Sequence, residues 1–237
     1  MDLIGIDGCK AGWVLARSDL GLQTLHFSIE PTLGDVLRAA GENTSIAIDV
    51  PIGLADDDAR ACDHAARRIL GAPRSSSVFS APCRGTLTAT SYQDACRLNL
   101  DARGRGVTQQ LFNILRKIRE VDELMTPDLQ DRLREAHPEV TFALLAGTGR
   151  GLPHPKKTPQ GEADRLALLQ TFFPVLDRAT LAAERARLGP AKVARDDLVD
   201  AVACLVTAYR IASGQARVLP DGPPQRDARG LRMEIVA

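Results

Sequence analysis

Two aspartates follow apolar segments near the start of the sequence, and two more lie at the beginning of a late apolar segment. Asp7 follows an apolar run in "GIDG", and Asp49 follows another in "SIAIDV". Asp197 and Asp200 lie three residues apart in "DDLVDAVACLV", so both occupy one face if that segment is a helix. Such carboxylates are the oxygen ligands that Mg²⁺ and Mn²⁺ prefer, and the bound ions can activate water against a phosphodiester. The pattern therefore predicts a metal-dependent catalytic site at these four residues.

Each of these acids also has an ordinary structural explanation. An aspartate after a strand is often a turn residue, while Asp196 is placed to cap a helix and Asp197 to interact with its dipole. Asp200 lies farther along, between Val199 and Ala201, and an acid on a mostly apolar helix usually has a partner. The combination favours a site, although any single member has a structural alternative.

Other polar residues are candidates for substrate binding. His137 is a candidate for substrate binding or proton transfer, with a structural histidine as the alternative, and Glu139 is a possible further metal ligand. Several basic or hydroxyl residues could hold the phosphates of an anionic substrate, although such residues are often solvated surface groups. The candidates are Lys10, Arg67, Arg74, Ser76, Arg84, Lys156 and Lys157.

Composition restricts the classes of protein to consider. With 237 residues, 44% apolar and 25% charged, the chain suits one large soluble domain or one domain with an insertion. The hydrophobic runs are short and interrupted, which argues against a membrane protein. The 30 basic and 30 acidic residues cancel, so a nucleic-acid partner needs a local basic patch. The interrupted hydrophobic runs, with no basic segment leading into an apolar one at the N-terminus, predict a cytoplasmic protein, and the five scattered cysteines predict reduced thiols.

The hydrophobic pattern predicts an α/β arrangement. Residues 3–7, 12–17 and 22–29 read as three antiparallel strands, followed by a helix from Pro31 and a buried strand at 45–50. Residues 52 to about 135 are rich in helical spacing and poor in strands. We expect helices at 59–70, 91–102, 107–123, 127–134, 162–172, 181–188 and 196–213, a late strand at 139–144, an exposed loop at 147–161 and an irregular tail at 216–237.

Six motifs together resemble a known family. They include "IGIDGCKAGWV", "IAIDVPIGL", "REAHPEVTFALLAG" and "KKTPQGEADRLALL". As a set they resemble the domain of unknown function 429 family, described as predicted nucleases with a ribonuclease H-like fold, over about residues 3–212. The resemblance implies a mixed five-stranded sheet flanked by helices, in one domain at 1–215 with a helical insertion at about 52–135 after the fourth strand.

The resemblance also implies roles for the acids. Asp7 matches the acid of the first strand, Asp49 that of the fourth, and Asp197 with Asp200 those of the last helix. Holliday-junction resolvases of this fold usually carry Glu at the fourth strand, and the shorter Asp49 changes the spacing available to a metal.

The leading hypothesis is a Mg²⁺- or Mn²⁺-dependent nuclease acting on DNA or RNA. One alternative is a non-catalytic protein that binds a phosphorylated ligand or nucleic acid on the same scaffold. A second is a nucleotide-dependent phosphotransferase, because "GIDG" also resembles the first phosphate loop of sugar kinases and actin. That fold normally has two duplicated halves, and this chain has the length of one.

Overall fold

A mixed sheet of five strands lies at the centre of the computed structural model, which describes residues 1–237. The strand order is β3-β2-β1-β4-β5. Strand β2 is antiparallel to both β1 and β3, whereas β4 runs parallel to both β1 and β5. This arrangement confirms the predicted α/β class and is consistent with a ribonuclease H-like sheet. The bounds are β1 (Asp2–Cys9), β2 (Gly12–Asp19), β3 (His26–Glu30), β4 (Thr44–Ile48) and β5 (Leu133–Glu135).

Eight α-helices surround the sheet, three of them in the connection between β4 and β5. The insertion predicted after the fourth strand is therefore present and helical. No helix combines the length and the apolar character needed to cross a lipid bilayer. The bounds are α1 (Leu33–Ala39), α2 (Ala61–Leu70), α3 (Tyr92–Arg103), α4 (Gln109–Leu124), α5 (Pro138–Leu145), α6 (Pro159–Leu169), α7 (Arg178–Leu188) and α8 (Arg195–Ala212).

Side-chain alternation along β1 divides the apolar residues between two layers. Ile4 and Ile6 pack on one face, in a cluster that includes α4, whereas Leu3 packs on the opposite face in a cluster that includes α8. Gly5 and Asp7 belong to the same row as Leu3, because successive strand residues point to opposite faces. The sequence of β1 therefore directs its terminal aspartate towards the face that α8 covers.

Gly5 allows the backbone of α8 to lie directly against β1. A Cβ atom at this position would lie 2.0 Å from the backbone nitrogen of Leu205 and 2.1 Å from the carbonyl oxygen of Ala201. No side chain fits in that space. Because residue 5 has no side chain, the last helix can approach the first strand closely. This approach also sets how far Asp200 lies from β1.

The strand predicted at 139–144 is wrong, and so is most of the helix predicted at 127–134. The fifth strand is β5, and residues 138–145 form α5, with Pro138 at its first turn, where a missing N–H has no cost. Residues 129–131 form only a short 3-10 turn. The apolar run that suggested a strand is a helix buried on nearly all sides, and periodicity alone does not separate these two cases.

The segment expected to be an irregular tail contains four short strands. They form two small antiparallel pairs, and residues at the end of the chain pack against α2 and α5. Met233 and Ile235 are buried in that cluster. The Pro and Gly residues of this segment suggested an irregular tail, but its last residues are apolar. The strands are β6 (Val218–Leu219), β7 (Gln225–Arg226), β8 (Arg232–Met233) and β9 (Ile235–Val236).

Gly5→Ala is predicted to destabilise the protein strongly. Overpacking usually costs about 1–3 kcal/mol, and we expect the upper end or more because the clash involves helix backbone rather than a movable side chain. The urea midpoint of unfolding measures the effect. Gly85→Ala is the matched control, since Gly85 is exposed and a Cβ there meets nothing within 4 Å. Equal midpoints for the two variants would contradict the proposed role of Gly5.

Candidate active site

The ends of β1 and β4 place Asp7 and Asp49 side by side. The two strands are parallel with Ile6 opposite Ile48, and the backbone N–H of Asp49 donates to the carbonyl oxygen of Ile6 at 3.0 Å. Continued alternation directs both carboxylates towards α8. Asp7 Oδ1 accepts a hydrogen bond from the N–H of Gly8 at 2.7 Å. The two strand-terminal acids predicted from the sequence are therefore neighbours at one end of the sheet.

Helix α8 adds Asp200 to this pair. Asp200 precedes Ala201, the residue that touches β1 at Gly5, and its side chain is almost completely buried. Its Oδ2 lies 2.6 Å from Nζ of Lys156. Its Oδ1 is buried and has no hydrogen-bond partner, which is uncommon for a buried carboxylate oxygen. This atom is a free acceptor beside two other acids.

The pKa shifts of Asp7, Asp49 and Asp200 have burial as their first cause, and the charges of neighbouring acids add to them. Burial raises the pKa of Asp7 well above its usual value, and the charges of Asp49 and Asp200 raise it further. Burial raises the pKa of Asp200 to about 6, although the ammonium group of Lys156 opposes the shift. Burial also raises the pKa of Asp49, against the influence of His137 and Lys156. The ionised cluster is therefore unfavourable without an additional cation.

Lys156 is the cation that the structure itself supplies. It lies in the loop before α6, and its Nζ is also 3.8 Å from Oδ2 of Asp196. Burial alone would lower the pKa of Lys156, but the charge of Asp200 and their hydrogen bond raise it overall. Lys156 was predicted to contact substrate phosphate, and in this structure its ammonium group contacts Asp200, a candidate metal ligand.

The loop that carries Lys156 is held by a buried arginine. Arg165, on α6, donates to the carbonyl oxygens of His154 and Gly161, on either side of Lys156. The same guanidinium donates to both carboxylate oxygens of Glu139. Both oxygens of Glu139 are therefore engaged by an arginine, and we leave Glu139 out of the metal-ligand set.

The capping role predicted for Asp196 is wrong: the N-cap of α8 is Ala194, and Asp197 makes the capping contact. Its Oδ2 accepts from the backbone N–H of Ala194 at 2.8 Å, at the start of α8. Burial raises its pKa, and its charge contributes to the raised pKa of Asp7. Asp197 thus lies beside the cluster with one oxygen used by the helix, and Asp200 is the stronger candidate ligand of the pair.

His137 lies on the Asp49 side of the cluster. Its Nε2 is 3.3 Å from the carbonyl oxygen of Ser77, which can only accept, so Nε2 carries the proton in the neutral ring. Its Nδ1 is buried without a hydrogen-bond partner. In the neutral form this atom is an unpaired acceptor, which suits a group that receives a proton.

The remaining predicted binding residues have other contacts. Arg84 forms ion pairs with Asp122 at 2.5 Å and with Asp227, so its charge is compensated within the fold. Arg67 donates to Ser80 Oγ at 2.8 Å. Lys157 is exposed and lines a pocket beside Lys156. Three others lie outside the cluster of contacts described above: Lys10 and Ser76, which are exposed, and Arg74, which donates to Pro153.

Sequence reasoning missed three basic residues near the cluster. Lys117, on α4, extends past Gly8, lies 4.2 Å from the ring centre of Trp13 and donates to the carbonyl oxygen of Gly12. Arg178 and Arg195 line the pocket that contains Lys156. The residue spacing within each helix did not indicate that these three residues lie near the cluster, because their locations depend on how separate helices pack.

The oxygen donors of the cluster are of the type that a divalent cation prefers. Three carboxylates, one with a buried unpaired oxygen, are chemically suitable for Mg²⁺ or Mn²⁺. However, no group of three or more His, Cys, Asp and Glu side chains is arranged closely enough to hold a metal ion. The residues therefore fit a cation by their chemistry but not by their spacing in this structure, in which Lys156 provides the positive charge.

A comparison with family models assigns the chain to a family. The model described as "Protein of unknown function (DUF429)" matches residues 5–225. The chain belongs to the DUF429 family. The search of curated proteins and the search of solved structures each found no match. The DUF429 assignment confirms the resemblance in the sequence but carries no activity, so function must be argued from the site.

Asp200→Asn is predicted to stabilise the protein near neutral pH. Because burial raises the pKa of Asp200 to about 6, the native state binds its proton more tightly than the unfolded state does. This group therefore lowers wild-type stability as the pH rises from about 4 to about 6, and the neutral amide removes that loss. We expect a gain of about 1–3 kcal/mol above about pH 7 and a smaller one near pH 4.

Urea unfolding across this pH range, without metal, measures the difference. Asp101→Asn is the control, since the side chain of Asp101 is two-thirds exposed on α3. An Asp200→Asn protein that loses several kcal/mol at neutral pH would show instead that the ion pair with Lys156 is mainly structural; breaking such a buried pair costs about 3–5 kcal/mol.

Proposed function

We propose that this member of the DUF429 family is a nuclease that hydrolyses phosphodiester bonds of DNA or RNA with Mg²⁺ or Mn²⁺. The observation that carries the proposal is the convergence of Asp7, Asp49 and Asp200, with one buried oxygen of Asp200 left without a partner. A nucleic-acid partner and a cytoplasmic location are parts of the same proposal.

Each residue of the site has a role in this proposal. Asp7, Asp49 and Asp200 would hold the cation, which when bound would supply an activated water and stabilise the leaving oxygen. Lys156 neutralises part of the acidic charge and provides a cation for a phosphate oxygen. His137 presents an unpaired Nδ1 that can accept a proton beside Asp49.

A second function is favoured by a specific observation. Lys156 already neutralises Asp200, and no three potential ligands are arranged to hold a metal ion. Both features suit a protein that binds a phosphorylated ligand without cleaving it. The nuclease function requires that cation binding and cleavage both depend on the three carboxylates, whereas the binding function requires neither. The next two experiments measure cation binding and cleavage.

Millimolar Mg²⁺ or Mn²⁺ is predicted to raise the melting temperature. A ligand that binds only the native state stabilises it, by about 2.7 kcal/mol when its concentration is 100 times Kd. The shift should be larger at higher pH, because protons compete for carboxylates whose pKa values are raised. Asp7→Asn should reduce the shift, and Asp101→Asn should retain it. A melting temperature that no concentration of either metal changes would remove the basis for the metal-dependent function.

Asp7→Asn, Asp49→Asn and Asp200→Asn are each predicted to abolish cleavage of labelled DNA or RNA with Mn²⁺. The amide is nearly isosteric but lacks the charge that a cation requires, so rates should fall by at least about 100-fold. Circular dichroism and urea unfolding show whether each variant is folded. Asp101→Asn should cleave at the wild-type rate. Cleavage that survives in all three folded variants would place the activity elsewhere.

A further inference from the structure

A basic pocket adjoins the carboxylate cluster and shares Asp200 with it. The pocket has a volume of about 480 Å³, within the range typical of small-ligand sites. Asp200 and Lys156 lie in its wall, so the pocket borders the cluster at Asp200. Besides Lys156, its basic lining residues are Lys157, Arg165, Arg178 and Arg195, contributed by α6, α7, α8 and the loop before α6.

The ion pairs of this pocket leave positive charge on one side. Arg165 is compensated by Glu139, which lies behind it. Arg178 and Arg195 share a single carboxylate, Glu162, at 3.0 and 3.2 Å. Lys157 has no acidic partner. The outer side of the pocket, with Lys157, Arg178 and Arg195 against Glu162, therefore carries a surplus of two positive charges.

The inner side has the opposite balance. Lys156 lies there against two acids, Asp196 and Asp200, so one negative charge is in excess. The pocket is thus positive on its outer side and negative next to the candidate cation site. A phosphomonoester carries about −1.5 to −2 charges at pH 7 and three acceptor oxygens, which matches the outer surplus. The ion pairs of Arg178 and Arg195 are half-exposed, so exchanging Glu162 for a phosphate costs little.

We propose that the basic pocket receives a terminal phosphate of the nucleic-acid substrate. This inference rests on the proposed nuclease function. It adds that cleavage begins at a phosphorylated end of the nucleic-acid strand. A pocket of this volume has room for one nucleotide, and its outer surplus of two positive charges matches a phosphorylated terminus better than the single negative charge of an internal phosphodiester. In the hydrolysis itself, a water oxygen bonds to phosphorus as the water gives up a proton, the bond to the sugar oxygen breaks, and that oxygen takes up a proton.

Phosphate binding without metal is the first test. Inorganic phosphate and a nucleoside 5′-monophosphate are titrated into the protein by calorimetry. Lys157→Gln and Arg195→Gln should each weaken binding about 10-fold, the effect of losing one charge-assisted hydrogen bond. Arg38→Gln is the matched control, because Arg38 also forms an exposed ion pair, with Asp35 on α1, and should bind as the wild type. Equal binding by wild type and both pocket variants, or none by the wild type, overturns the proposal.

Cleavage of strands with defined ends is the second test. Linear single strands ending in a 5′-phosphate, a 3′-phosphate or hydroxyl groups are compared with a circular strand, with Mn²⁺ present. A strand with one type of phosphorylated end should be cleaved at least about 10-fold faster than the hydroxyl-ended one, and Lys157→Gln should remove that preference. A circle cleaved as fast as the linear strands overturns the pocket proposal and leaves the nuclease function standing.

The two tests together separate this inference from the proposed function. Mononucleotide binding that Lys157→Gln weakens, with no cleavage of any strand, overturns the nuclease function. It also assigns the pocket to a free phosphorylated ligand rather than to a strand end. Cleavage that requires Asp200 but ignores terminal phosphate overturns only the pocket proposal.

Discussion

The direct contact between the backbones of α8 and β1 at Gly5 is the constraint on which the candidate site depends. The contact fixes Ala201 and Leu205 against the first strand, and Asp200 is the residue immediately before Ala201. Since β1 also carries Asp7, one close approach sets the positions of both acids. Asp49 joins them because β4 is parallel to β1 and in register with it. The site is therefore a consequence of strand pairing and one missing side chain.

This geometry has an electrostatic cost that the fold partly offsets. Burial raises the pKa of Asp7, Asp49 and Asp200, so their ionised forms are less favourable than in water. Lys156 reduces the cost, and Arg165 fixes the loop on which Lys156 lies. Glu139 is part of that support rather than of the acidic cluster. Repulsion among acids that remains uncompensated is the kind of strain that functional sites tolerate.

The sequence predicted those features that depend on local pattern. Strand ends, alternation and the three-residue spacing in α8 were enough to bring Asp7, Asp49 and Asp200 into one hypothesis. Features that depend on distant partners were not predictable. Arg84 meets Asp227 across 143 residues, and buried Arg60 meets Glu135 across 75, so the charge of Arg84 could not be recognised as already compensated. The buried run in α5 was mistaken for a strand because a fully covered helix loses its amphipathic period.

Lys156 links the acidic cluster to the basic pocket, and this sharing has a physical consequence. Its ammonium group is in hydrogen-bond contact with Asp200 and also lines the pocket. An anion that engages Lys156 therefore competes with Asp200 for the same charge, and a cation at Asp200 competes with Lys156. Binding free energies that depend on one shared group are reciprocal, so each ligand changes the affinity for the other by the same factor. The acidic cluster and the basic pocket are therefore coupled through the side chain of Lys156, which contacts Asp200 and lines the pocket.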